Sequence, residues 1–318
     1  MSKVFGEVKH YRNQSDCTFT GLICECNSNG KYKNEKNHII SKSSYLKRIS
    51  RNNQVMVFAW EEQEFEKNKG RLSKRNIKNA NVYRVLCGAH DKLLFNEIEN
   101  GNEFDESNKK QLFQFALKSF IFQHSHLEIK QNFNNLTHSL FNKVGDAHFK
   151  YSSRNLEFFK INYEKENWDS IKTIVIRIKK KIDFVSCFCT RPIWDINKRY
   201  LLSTDQISFN IFPENEYTVI LLSYKSQLSK TIENYCKMLE KCAEDNELKF
   251  IKYLTKIVIL YDPNIALNPK FWDNLRDFEK EDFYYFAHFL RKNNHNLFRT
   301  ISKVFKLKNK FSECNLFY

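Results

Sequence analysis

Two cysteine motifs that lie far apart in the sequence constrain the first third of the chain. They are Cys24-x-Cys26 and Cys87-x-x-His90. Residues 1–104 are otherwise rich in charge and loops and contain only short apolar runs, so they lack an obvious core of their own. A structural Zn²⁺ contributes on the order of 10–16 kcal/mol of apparent binding energy that is coupled to folding. The sequence therefore predicts that Cys24, Cys26, Cys87 and His90 hold one structural Zn²⁺.

A structural alternative to the zinc site stays open. Cys24 and Cys26 also suit a strand whose side chains point to one face, with His90 as an ordinary surface histidine. The chain has nine cysteines, an odd number that is unevenly spread, which indicates thiols or metal ligands rather than a disulfide framework.

In residues 17–95, a cysteine pair is followed by the sequence HIISKS from His38, by Asn81 and by LCGAHD, which ends at Asp91. This order of motifs resembles that of HNH-type endonucleases of the ββα-metal class. In that family, cysteine pairs hold a structural zinc, a histidine is the general base, and an asparagine orients the loop. A residue just after the last zinc ligand binds the catalytic divalent metal.

The resemblance implies a small zinc-braced, HNH- or treble-clef-like module with three catalytic positions. His38 would be the base, Asn81 the orienting asparagine, and Asp91 the ligand of Mg²⁺ or another divalent metal. The chain departs from the family pattern at Asn37, where a metal-binding acidic residue or histidine is usual, and at Ser41, where proline is usual. An amide oxygen is a poorer ligand than a carboxylate for a hard cation. His38 also suits a packed position or a zinc-ligand position.

A basic segment directly after His38 predicts contacts with nucleic acid. Its cationic residues are Lys42, Lys47, Arg48 and Arg51. On a helix, Lys47 and Arg51 share a face and can follow phosphates. A solvated amphipathic helix explains the same pattern. The net charge of +15 and the pI of about 9.3 suit a polyanionic partner, although a lysine-rich composition of the kind that AT-rich coding favours also produces such a charge.

The rest of the chain predicts an α+β fold. Apolar residues at helical spacing from Leu112 to Phe122 predict a long helix, with Asp105 or Ser107 as its cap. The alternation around Ile176 predicts a strand, and the runs on either side of residues 213–215 predict a hairpin. We expect three parts: the zinc-braced module at 1–104, a helical connector at 105–165, and a larger α+β domain at 166–318.

Several finer features of this region are also predicted. A helix follows the hairpin, with Tyr235 and Leu239 on its apolar stripe, and Asn268 caps a helix near the C-terminus. His124 and His126 point in different directions on the long helix, so they cannot share a metal and are expected at a surface or an interface. Cys187 and Cys189 are expected in a core strand.

These patterns favour metal-dependent cleavage of nucleic acid, with the C-terminal α+β domain recognising substrate or a protein partner. The alternative is a non-catalytic zinc-stabilised module that binds nucleic acid or protein. A third class is an interaction or sensor protein, including a component of phage defence in bacteria, which rests only on the resemblance. The sequence offers no P-loop, Gly-x-Ser-x-Gly or His-Glu-x-x-His motif. It predicts no secretory signal, no membrane partner and a cytoplasmic location.

Overall fold

The computed structural model divides the chain into two compact units. It describes residues 35–58, 72–83, 85–99, 101–136, 142–192, 195–197, 201, 205–227, 230–262, 264–281, 283–284 and 316. The first unit combines Met1–Ser44 with Asn81–Ile171, and the second combines Tyr45–Ala80 with Lys172–Tyr318. This division differs from the three consecutive parts expected from the sequence. The segment 45–80 belongs with the C-terminal residues because its strands join their sheet.

The described residues contain nine strands and seven α-helices. The strands are β1 Asn37–His38, β2 Gln54–Phe58, β3 Leu72–Asn76, β4 Val82–Tyr83, β5 Ile171–Ile178, β6 Phe184–Thr190, β7 Ile207–Glu214, β8 Tyr217–Lys225 and β9 Ala266–Leu267. The helices are α1 Lys47–Ile49, α2 Gly88–Leu94, α3 Lys109–Leu136, α4 Asn142–Glu164, α5 Lys230–Asp245, α6 Glu247–Tyr261 and α7 Pro269–Asn274. A π-helical turn at Lys42–Leu46 precedes α1, and a 3₁₀ turn at Trp168–Ser170 precedes β5. The α+β expectation is confirmed at this level.

The core of the first unit lies where α3 packs on α4. The Phe113 ring meets the Phe159 and Trp168 rings edge to face, with centroids 5.3 and 5.1 Å away. The predicted long helix is present, but its predicted caps are wrong. The side chain of Asn108 accepts the backbone N–H of Gln111 at 3.0 Å and so caps α3.

The second unit is built on a seven-stranded sheet with the order β3-β2-β9-β6-β7-β8-β5. Strands β2 and β3 form an antiparallel pair, and β9 lies between β2 and β6, antiparallel to both. Strands β6, β7 and β8 continue the sheet with antiparallel pairing. The predicted strand around Ile176 is present as β5, which begins at Ile171 and ends at Ile178.

The predicted hairpin is the pair β7 and β8. Its turn is tighter than expected, because Pro213 and Glu214 still lie in β7 and pair with Thr218 and Tyr217. Asn215 adopts a φ of 50°, in the left-handed region that asparagine tolerates better than most residues.

Helices α5 and α6 contribute their apolar stripes to the core of the second unit. Tyr235 and Leu239 of α5 are buried there, as the helical periodicity predicts. Asn268 caps α7 by accepting the backbone N–H of Lys270 at 2.7 Å, which confirms that prediction. Cys187 and Cys189 are both buried in β6, as expected for a core strand. Among the described helices, none is both long and apolar enough to cross a membrane.

Candidate zinc and nucleic-acid site

A short antiparallel ladder joins the two halves of the candidate module. In the register of β1 and β4, Asn37 lies opposite Tyr83 and His38 opposite Val82. The ladder continues on both sides: Glu35 N donates to Leu86 O at 2.9 Å, and Ile39 N donates to Asn81 O at 3.1 Å. Helix α2 follows directly. The first unit therefore contains two paired strands followed by a helix, and these elements carry the predicted site residues.

The second half of the predicted zinc site is assembled at the start of α2. The Sγ atom of Cys87 lies 3.3 Å from Nδ1 of His90, and both side chains are buried. Zn–S bonds of about 2.3 Å and Zn–N bonds of about 2.0–2.1 Å at a tetrahedral angle place two ligand atoms about 3.5 Å apart. The distance between the two atoms therefore fits two ligands in the tetrahedral coordination sphere of one zinc ion. Burial, followed by the charge of Lys160, lowers the pKa of His90 and favours the neutral imidazole that a metal requires.

The first half of the predicted zinc site, Cys24 and Cys26, lies outside the described residues. Among the residues that are described, no group of three or more histidine, cysteine, aspartate or glutamate side chains is arranged to hold a metal. The structure thus brings Cys87 and His90 together, and the expectation that Cys24 and Cys26 join them stays a prediction.

Asn37 connects β1 to the segment that leads into α2. Its side-chain oxygen accepts the backbone N–H groups of Val85 at 3.1 Å and Leu86 at 2.8 Å, and the residue is only 1% exposed. An amide oxygen has two lone pairs, so both are occupied. The position that binds metal in the HNH family therefore has a structural role here, and it holds the start of α2 against the ladder.

Asp91 lies on α2 in a partly buried and strongly charged environment. Burial raises the pKa of its carboxyl, Lys118 lowers it, Glu99 raises it, and the nearby Asn37 amide lowers it; the net direction is upward. Its Oδ1 atom is buried without a hydrogen-bond partner among the described residues. Because Mg²⁺ is commonly bound by one or two carboxylates together with substrate phosphates, Asp91 fits a single-carboxylate site for a divalent metal.

The remaining HNH-like positions have distinct surroundings. His38 is half-buried on β1, whereas Ile39 and Ile40 are buried as their apolar character predicts. Asn81 is buried and adopts a φ of 50°, a left-handed conformation that asparagine allows immediately before β4. The Oγ atom of Ser41 accepts the backbone N–H of Ser44 at 3.3 Å, so this serine begins the π-helical turn where the family has proline.

The basic segment does not form the continuous helical face that its spacing suggests. Helix α1 ends at Ile49, and Arg51 forms a β-bridge with Gln54 beyond it, so Lys47 and Arg51 do not share one helix. Arg48 donates to Glu214 Oε2 at 2.7 Å and to Pro213 O at 3.1 Å. Its guanidinium group is therefore less available to a phosphate than the sequence predicts.

Three cations of the segment, Lys42, Lys47 and Arg51, are exposed on the described surface. They belong to different units, since Lys42 lies in the segment Met1–Ser44 of the first unit, whereas Lys47 and Arg51 lie in the segment Tyr45–Ala80 of the second. Exposure makes them accessible to a phosphate backbone but does not distinguish nucleic acid from solvent as their partner. Their assignment stays a prediction.

A buried polar stripe on α3 was missed at the level of sequence. Gln111, Gln114 and Lys118 are at most 3% exposed and follow the spacing of one helical face. Gln111 Nε2 donates to the carbonyl oxygens of Glu97 and Glu103, and Lys118 forms an ion pair with Glu99. The stripe thus fixes the loop that follows α2. Its signal was present as polar residues at helical spacing inside an apolar segment.

Comparison of the chain with protein-family models, curated proteins and solved structures found no match.

Proposed function

We propose that the protein is a metal-dependent nuclease and that its first unit contains an HNH-like module. The observation that carries the proposal is that strand β1 pairs with strand β4, which is followed by helix α2. These three elements and the residues next to them carry His38, Asn81, Asp91 and the Cys87–His90 pair, although residues 45–80 between them belong to the second unit. The ladder and helix correspond in order to the two strands and helix of the ββα-metal class.

In this proposal, each group has a separate task. Cys87 and His90 supply two of the four ligands of a structural zinc, and Cys24 and Cys26 supply the other two. His38 accepts the proton from the attacking water, for which its half-exposed position on β1 gives the necessary access. Asp91 holds a divalent metal, which when bound stabilises charge on the phosphate and the leaving oxygen. Asn81 sets the path of the backbone into β4.

A second candidate function is a non-catalytic module that binds nucleic acid or protein, and Asn37 favours it. Both lone pairs of its amide oxygen are used by Val85 and Leu86, so the residue supplies no oxygen to a metal. Successive strand side chains also point to opposite faces, so His38 leaves β1 on the face opposite Asn37. A module with this geometry retains the zinc-braced fold and has lost one metal ligand.

Cleavage assays with the full chain separate the two functions. Plasmid DNA and a structured RNA are incubated with Mg²⁺ or Mn²⁺ and with wild-type protein, His38→Ala or Lys252→Ala, the last being an exposed lysine of α6. Loss of a general base typically lowers a rate by about 10²–10⁴-fold. The proposal expects that loss in His38→Ala and wild-type activity in Lys252→Ala.

Two controls make the assay decisive. His38→Ala must retain the zinc content and melting temperature of the wild type, so that lost cleavage reports chemistry rather than unfolding. Cleavage that is equal in wild type and His38→Ala, or undetectable in well-folded wild type with either metal, contradicts the nuclease proposal. Binding of nucleic acid without cleavage then supports the second candidate.

A further inference from the structure

The second unit contains an open surface cavity, lined mostly by exposed residues, that the proposed nuclease chemistry does not use. Its volume is about 530 Å³, and it lies beside α5, the start of α6 and residues 196–197. Small-molecule sites commonly occupy about 300–1,000 Å³. The cavity is therefore large enough for a ligand the size of a mononucleotide.

The charge of the cavity wall is positive. Lys237, Lys241 and Lys249 line it, against one acidic residue, Asp245. Lys249 Nζ donates to Asn197 Oδ1 at 2.9 Å, which holds this ammonium group at the cavity without neutralising it. Lys241 is exposed and forms no ion pair with any described residue. Two lysine charges are thus available to an anion.

Lys237 is a weaker contributor to the positive charge. Its Nζ lies 2.8 Å from Glu233 Oε1, one helical turn earlier on α5. This carboxylate partly neutralises the lysine, and the pair is exposed. Lys241 and Lys249 are consequently the residues on which anion binding depends.

Part of the cavity lining is apolar. Ile196 is buried, and Met238 and Cys242 are half-buried. Methionine and cysteine side chains are polarisable and pack well against flat ligand groups. The amide of Asn234 adds a polar group to the lining. The lining therefore combines cationic and apolar side chains.

The charges around the cavity favour a small anion over a polymer. Glu233, Glu240 and Glu244 lie on the same helix as Lys237 and Lys241. A long phosphate backbone that crossed this helix would meet these carboxylates as well as the lysines, and like charges close together are unfavourable. A compact ligand can reach Lys241 and Lys249, which both line the cavity, without crossing the whole helix.

We propose that this cavity binds a small organic phosphate of mononucleotide size. The phosphate lies between Lys241 and Lys249, and the organic part packs against Ile196, Met238 and Cys242. Such a site goes beyond the proposed nuclease function and does not depend on it, because every residue that carries it belongs to the second unit.

Calorimetric titration of the full chain with AMP tests the site. Lys241→Glu reverses a charge at the cavity, and Lys270→Glu makes the same change at an exposed position of α7. Loss of a charge-assisted contact of about 1.4 kcal/mol corresponds to about a tenfold weaker Kd. We expect AMP to bind the wild type, Lys241→Glu to weaken binding by at least about tenfold, and Lys270→Glu to leave it unchanged.

Alkylation of Cys242 provides a second readout that reports position. Iodoacetamide modification of the peptide that contains Cys242 is measured by mass spectrometry, with and without saturating AMP. We expect AMP to slow this modification in wild type and in Lys270→Glu. Unchanged melting temperatures of both variants show that the exposed substitutions leave the fold intact.

Four results would overturn the proposal. They are no AMP binding at about 5 mM, equal weakening by Lys241→Glu and Lys270→Glu, binding that leaves Cys242 alkylation unchanged, and protection of Cys242 by a single-stranded RNA but not by AMP. Adenosine and inorganic phosphate test the apolar and the cationic parts of the lining separately. Binding of either one as tightly as AMP overturns the role assigned to the other part.

Discussion

The side-chain oxygen of Asn37 accepts the backbone N–H of Leu86 at 2.8 Å, and this bond links two segments that are 49 residues apart in the sequence. The first segment carries His38, and the second leads into α2 with Cys87, His90 and Asp91. The intervening residues 45–80 belong to the second unit. The two segments of the candidate site are therefore held together by the side-chain amide of Asn37, because they are not adjacent in the sequence.

Asn37→Ala tests that dependence. The substitution leaves the buried N–H groups of Val85 and Leu86 without their acceptor, and each such loss costs about 1–3 kcal/mol. We expect the free energy of unfolding to fall by about 2–6 kcal/mol in urea denaturation. Lys92→Ala, an exposed change on α2, serves as the control and should change stability by less than about 0.5 kcal/mol.

Asn37→Asp tests whether a carboxylate at this position, where the HNH resemblance implies a metal ligand, can bind a cation together with Asp91. The new side chain keeps its acceptors and adds a charge near Asp91, so we expect it to be less stable than wild type without metal. A divalent cation relieves repulsion between two carboxylates. Added Mg²⁺ should raise the melting temperature of Asn37→Asp more than that of wild type; an equal shift would mean that positions 37 and 91 do not share a cation.

Asn81 provides a test of backbone conformation. Its φ of 50° lies in the left-handed region, which costs an ordinary L-residue roughly 1–2 kcal/mol and glycine almost nothing. Both Asn81→Gly and Asn81→Ala remove the side chain, so their difference isolates the backbone. We expect the glycine variant to be more stable than the alanine variant by about 1 kcal/mol in thermal denaturation, and the reverse order would contradict the assigned conformation.

His124 gives the first unit a dependence on pH. Its Nδ1 lies 3.2 Å from Ser152 Oγ, its ring stacks on Phe149, and burial together with Lys160 lowers its pKa to about 4. Since the unfolded pKa is about 6.5, the unfolded state binds more protons between these values. Stability therefore falls as the pH decreases from about 6.5 to about 4, by up to about 3 kcal/mol.

His124→Gln separates this titration from the acid sensitivity of the rest of the chain. Glutamine can keep a hydrogen bond to Ser152 but does not titrate. Urea denaturation at pH 7.5, 5.5 and 4.5 should show a smaller loss of stability in the variant than in wild type. Parallel pH profiles for the two proteins would show that His124 is not held neutral in the folded state.

Arg48 and Lys47 are neighbours in the sequence with different expected roles. Arg48 joins the β7–β8 turn through Glu214 and Pro213 O, whereas Lys47 is exposed. We expect Arg48→Ala to lower stability by about 0.5–1.5 kcal/mol. Lys47→Ala should leave stability unchanged and, where nucleic acid binds there, reduce the salt slope of log K by about one. Fluorescence anisotropy at several salt concentrations measures the latter.

The parts of the fold that follow from local periodicity were predictable from the sequence. The apolar spacing around Phe115 located α3, the alternation around Ile176 located β5, and Asn268 with Pro269 located the start of α7. The capping of α3 was assigned wrongly because Asp105, Ser107 and Asn108 are all favourable N-cap residues and lie within four positions of one another. Only the tertiary position of the first turn selects Asn108.

The division of the chain into units was not predictable in the same way. Strands β2 and β3 are short and flanked by charged residues, and nothing local shows that they join a sheet whose other strands begin at residue 171. The candidate site shows the same contrast. The Cys87-x-x-His90 spacing predicted two groups that meet, whereas the structural use of Asn37 depends on contacts with Val85 and Leu86.

Elemental analysis of the purified full chain is the most direct test of a zinc site shared by the two cysteine motifs, with wild type compared with Cys87→Ser and Cys242→Ser. Cys242 is a half-buried thiol of the second unit and serves as the matched control. We expect about one zinc per chain in wild type and in Cys242→Ser, and loss of that zinc in Cys87→Ser. Well-folded wild-type protein without zinc, or full zinc content in Cys87→Ser, would contradict a single site built from the two cysteine motifs.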